Sequence, residues 1–120
     1  MGSRMLVGLC VFLGFLAARD ANAGECISRP ERFQLSSDTV YWAFSLRAGG
    51  ECLQGLRGKT QLLSRIDVVE PPVAGSVTLS GPSFRYQAGA SKTDRFKIKV
   101  EGEDRRQEGT SLIVVDVTIQ

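Results

Sequence analysis

The chain has 120 residues, with 15 Lys and Arg against 13 Asp and Glu, and no histidine. Without histidine there is no Ser-His-Asp or Cys-His triad and no histidine metal ligand. The near balance of charge argues against a dedicated nucleic-acid binder, which carries a clear basic excess.

Residues 1–23 have the three parts of a secretory signal peptide. Arg4 supplies the early positive charge, and Met5–Ala18 is almost wholly apolar. That run is shorter than the roughly 20 residues a membrane-spanning helix needs. Ala21-Asn22-Ala23 meets the small-x-small rule for cleavage. The reading is export, with cleavage after Ala23 and no membrane anchor kept. The mature protein is expected to be secreted or periplasmic. Cys10 leaves with the leader, so it is not counted as a structural cysteine.

Cleavage leaves one domain, residues 24–120, of a size that supports one modest core. Two cysteines remain, Cys26 and Cys52. In an oxidising compartment such a pair is expected to form a disulfide. The chain-entropy model gives such a bridge about 3.5 kcal/mol. A redox pair would sit as C-x-x-C, and this pair does not.

The rest of the mature chain reads as strands. Residues 24–38 are polar and irregular. Val40–Leu46 is the first clear strand, with Val40, Trp42, Phe44 and Leu46 on one face at period two. This puts Trp42 in the core and leaves Tyr41 as the exposed aromatic. Ala48–Cys52 breaks the strand, and Gln54–Thr60 looks like a glycine-rich loop. Leu62–Val69 is a second strand, stopped by Pro71-Pro72. Short strands follow at Gly75–Leu79 and Ser83–Tyr86. Asp94–Glu101 alternates cleanly, with Phe96, Ile98 and Val100 opposite Arg95, Lys97 and Lys99. A polar hairpin over Gly102–Gly109 leads to a final strand, Thr110–Ile119. No stretch has a helical period. The expected fold is all-β, a β-sandwich of about seven strands with one disulfide.

From Pro71 the order is Gly75, Val77, Leu79, Gly81, Phe84-Arg85-Tyr86, Gly89 and Asp94-Arg95-Phe96-Lys97-Ile98-Lys99-Val100, then an alternating last strand. Over roughly residues 67–120 this resembles the cadherin-like and immunoglobulin-like repeat modules of bacterial exported proteins, here in one copy. The resemblance implies an immunoglobulin-like sandwich. It also raises calcium, for which Asp94, Glu101, Glu103 and Asp104 are the candidates. None of them sits in a D-x-[DN]-x-[DN]-G loop. No metal or other cofactor is expected.

Arg95, Lys97 and Lys99 form a row on one strand face, with Arg85 as a possible neighbour. One reading is a surface for an anionic partner. The more ordinary one is lysines guarding an exposed strand against edge-to-edge pairing. Glu101, Glu103, Asp104 and Glu108 alternate with Arg105 and Arg106, which reads as a solvated, self-neutralising turn. Gly55–Thr60 resembles the end of a phosphate-binding loop, but Leu53 stands where the first glycine must be. The expected function is a non-enzymatic exported interaction or structural module for a protein or envelope glycan. The alternative is a small inhibitor of an exported enzyme, with Gly49–Thr60 as the inserted loop.

Overall fold

A computed structural model describes residues 26–120, so the expected leader and its cleavage site lie outside the described residues. The described residues form eight strands: β1 (Cys26–Arg29), β2 (Asp38–Leu46), β3 (Glu51–Gly55), β4 (Gln61–Glu70), β5 (Ser76–Ser80), β6 (Ser83–Gln87), β7 (Thr93–Asp104) and β8 (Gln107–Ile119). The larger sheet has the order β1-β2-β8-β7-β4, and the smaller β3-β6-β5. The protein is an all-β sandwich. With the letters A to G given to β2–β8, the sheets read A-G-F-C and B-E-D. That is an immunoglobulin-like arrangement in which the first strand pairs with the last rather than with the second.

The period-two rows meet between the sheets. Trp42 and Phe44 of β2, Phe84 and Tyr86 of β6, and Phe96, Ile98 and Val100 of β7 are buried. So are Ile113, Val115, Val117 and Ile119 of β8. Phe84 stacks on Phe44 with centroids 5.7 Å apart and meets Phe96 edge-on at 5.3 Å. These rings carry much of the core, since each buried aromatic removes a large apolar area from water. Val114 is buried on the outer face, where its cross-strand partners are Tyr41 and Lys97. Tyr41 itself is exposed.

Two expectations are corrected. Residues 26–29 are not irregular: they form β1, antiparallel to β2. Three of these four residues are exposed, so no alternation marks the strand. The Gly49–Thr60 loop is also not one loop. Its middle, Glu51–Gly55, is β3, paired with β6. Only Cys52 of β3 is fully buried, while Leu53 points to solvent, so the apolar pattern is too short to read. The parts left as loop are Gly49-Gly50 and Leu56–Thr60.

The Cys26–Cys52 disulfide is present, with Cα atoms 5.5 Å apart. It joins β1 of the large sheet to β3 of the small one. Edge strand β4 carries register shifts near Ser64 and Val69. Such bulges twist an open edge away from further pairing.

Candidate loop-end binding site

The cation row lies on the outer face of the large sheet, and each member faces a carboxylate. Arg95 Nε is 2.6 Å from Asp116, Lys97 Nζ 3.6 Å from Glu70 and Lys99 Nζ 3.7 Å from Glu101. Strand β7 runs between β8 and β4, so these cations do not guard an edge. They form cross-strand and same-strand pairs, each worth at most about 1 kcal/mol at a surface. Arg85 is on β6, pointing away from the buried Phe84 and Tyr86. It therefore sits on the opposite outer face, and the four cations do not make one surface.

The calcium candidates are not brought together either. Asp94 opens β7, whereas Glu101, Glu103 and Asp104 close it. Asp94 is buried and already saturated. It accepts hydrogen bonds from the N–H groups of Val73 (2.9 Å), Gly75 (2.8 Å) and Arg95 (3.0 Å), and from the Tyr86 hydroxyl (2.7 Å). Burial alone would raise its pKa, but these donors outweigh burial and hold it below the ordinary carboxylate value. Burial, then the neighbouring Asp94, pushes the Tyr86 hydroxyl upward. Among the described residues no group of three acidic or cysteine side chains is arranged to hold a metal ion.

Unpaired charge gathers instead at one end of the sandwich. Three segments meet there: the strap of residues 30–37 between β1 and β2, the loop Leu56–Thr60, and the β7–β8 turn. Between them is a cleft of about 830 Å³. Its basic lining residues are Arg32, Arg57, Lys59 and Arg105; Glu31 and Asp104 are its carboxylates. Among the described residues, Arg32, Lys59, Arg105 and Arg106 have no ion pair and no side-chain hydrogen bond. The two arginines of the turn thus make no ion pair with its carboxylates. Asp104 is engaged elsewhere, accepting from Thr60 Oγ1 at 2.6 Å.

Gln61 holds the three segments in place, and the sequence offers no sign of it. Its side chain is buried. Nε2 donates to the Phe33 carbonyl at 2.6 Å, and Oε1 accepts from the Gly58 N–H at 2.9 Å. Its own carbonyl accepts from Arg57 Nε at 2.7 Å, which fixes that guanidinium at the cleft. On the strap side, Trp42 Nε1 donates to the Glu31 carbonyl at 2.8 Å. Phe33 and Leu35 of the strap enter the core. Asp38 accepts from the N–H groups of Gln34 and Ser36 and from the Ser111 hydroxyl, which in turn accepts from the Leu35 N–H. Burial raises the Asp38 pKa, but these bonds together leave it lowered.

The backbone here is strained. Leu35 and Ser37 have positive φ, 56° and 64°, as do Arg105 (52°) and Arg106 (71°). Asp104 pairs with Gln107, so Arg105-Arg106 is a two-residue hairpin turn with both φ positive. Such turns favour Asn-Gly, and each non-glycine residue held there costs on the order of 1 kcal/mol. Arg105→Asn with Arg106→Gly is expected to stabilise the protein by about 1–2 kcal/mol. Thermal melting should then rise by roughly 4–8 °C per kcal/mol. An unchanged or lower melting temperature would show that the turn holds no such strain.

No family model and no curated protein matches the sequence. Among solved structures, the chain is similar to one in "Structure of PbICP-C in complex with falcipain-2" at 15% identity. The match covers 76% of this chain and 96% of that one, with a TM-score of 0.40. A likeness at that level carries no argument about function.

Proposed function

We propose that this chain is an exported, non-enzymatic module that binds another protein through its loop end. The observation that carries this reading is the cleft between strap, loop and turn on a rigid scaffold, where three of the four lining cations, Arg32, Lys59 and Arg105, have no partner among the described residues. Loops held by a stable sandwich are where such folds place recognition. The strained arginine turn agrees with it, since backbone strain concentrates at functional positions. The resemblance to cadherin-like and immunoglobulin-like repeat modules, here in one copy, fits the same role. The disulfide fits an oxidising compartment, outside the cytoplasm.

The test is capture from the native envelope fraction with two charge variants beside the parent. Arg32→Glu/Lys59→Glu/Arg105→Glu is expected to lose the captured partner. Lys97→Glu/Lys99→Glu, on the sheet face, is expected to keep it. The reverse pattern would move the site to the sheet and end the loop-end reading.

A second reading is an inhibitor of an exported enzyme, in which the loop and the turn beside the cleft would be the inserted parts. Leu56–Thr60 and the Arg105-Arg106 turn project at the same end. Stoichiometric loss of a hydrolase activity, abolished by changes in these two segments, would favour it.

A further inference from the structure

The chemistry of the cleft says more than where contact is made. It opens into this module, so the partner must enter it. Three of its four lining cations are guanidinium groups, those of Arg32, Arg57 and Arg105. We infer that the cleft receives an extended acidic segment of a partner protein, whose carboxylates meet Arg32, Lys59 and Arg105. This rests on the loop-end reading and adds the nature of the occupant.

Guanidinium groups present paired N–H donors that match a carboxylate in two-pronged contact. The sheet-face cations already have carboxylates, so a partner's acid there would have to compete. Arg32, Lys59 and Arg105 lack such internal competitors, and a partner's acid displaces only water.

Polypeptide fits the lining better than acidic polysaccharide for two reasons. The cleft is not uniformly basic, because Glu31 and Asp104 also line it. A polysaccharide with an anion on every repeat would meet both, whereas a peptide can set neutral side chains against them. The aromatic residues lining the cleft, Phe33 and Trp42, are 6% and 3% exposed. Neither offers an open ring face for a sugar to stack on.

The experiment uses the purified exported protein and the emission of Trp42, its only tryptophan. The probes are a ten-residue peptide alternating Glu and Ser, its Lys and Ser counterpart, and polygalacturonate. The Glu peptide is expected to bind and change Trp42 emission, and the Lys peptide is not. Binding should weaken roughly tenfold or more in Arg32→Gln/Lys59→Gln/Arg105→Gln, and on raising salt from about 50 to about 300 mM. Lys97→Gln/Lys99→Gln should bind as the parent does. Matching melting curves would show that the variants fold, as exposed substitutions ordinarily do.

Tighter binding of polygalacturonate, with the same variant dependence, would replace the peptide by a glycan. If neither anion binds while partner capture still needs Arg32, Lys59 and Arg105, the acidic-segment inference fails and the loop-end reading survives. If capture ignores those residues, the loop-end reading fails as well.

Discussion

Asp94→Ala is expected to cost about 3–4 kcal/mol, the largest loss from any single charged side chain of this protein. The substitution strips the acceptor from the Val73 and Gly75 N–H groups and from the Tyr86 hydroxyl in one step. Tyr86 is fully buried, so its hydroxyl finds no ready replacement in water. Domains of this size have about 5–15 kcal/mol in total, so much of the margin would go. Urea denaturation reads it directly. A loss under about 1 kcal/mol would mean that water reaches these donors. The same residue sets a pH dependence. The folded pKa of Asp94 is lowered, so its contribution is complete above the unfolded value of about 3.9. It is lost as pH falls through the lower folded value. Stability should therefore fall on acidification below about pH 4, and less so in Asp94→Asn. Asp38, shifted in the same direction, adds to the acid loss in both proteins.

Gly109→Ala is the second large effect, and it acts on the strap. A Cβ at Gly109 would lie 1.5 Å from the Leu35 carbonyl oxygen and 2.4 Å from its carbon. Both atoms are backbone, so no side-chain rotation relieves the clash. The strap must lift, taking Leu35 and Phe33 out of the core. Exposing two such side chains costs about 3–5 kcal/mol. Lifting also breaks the Gln61–Phe33 bond, and with it one wall of the cleft. The expected result is a lower melting temperature, new protease cleavage within residues 30–37, and weaker partner capture. Parent-like stability with an uncut strap would show that the strap tolerates the shift.

The strands with strict alternation were legible in the sequence. In β2, β7 and β8 the apolar rows named the inner face residue by residue, and Pro71-Pro72 marked the end of β4. Strands β1 and β3 were not legible, because a half-buried Cys26 before three exposed residues, and one fully buried Cys52 in β3, make no period. The cleft was hidden for a different reason. Its parts come from three segments far apart in the chain, and Gln61 looks like any polar residue. Neither Arg105-Arg106 nor Leu35 advertises a positive φ, since glycine is the residue that normally does. The sheet-face row was the opposite case: conspicuous in sequence, but already matched by Asp116, Glu70 and Glu101 in space.

The parallel pairing of β2 with β8 has a kinetic consequence. The ladder runs from Asp38 opposite Ser111 to Leu46 opposite Ile119, partners 73 residues apart. Closing so long a loop costs about 4 kcal/mol of chain entropy before any contact repays it. Folding is therefore expected on the millisecond-to-second scale typical of non-local β topologies. Until β8 arrives, Val40, Trp42, Phe44 and Leu46 have no complete sheet to join. The disulfide spans β2, from Cys26 to Cys52, and once formed it keeps that strand beside β3. Oxidation before the last strand docks should then shorten the search, and reduced protein should refold more slowly than oxidised.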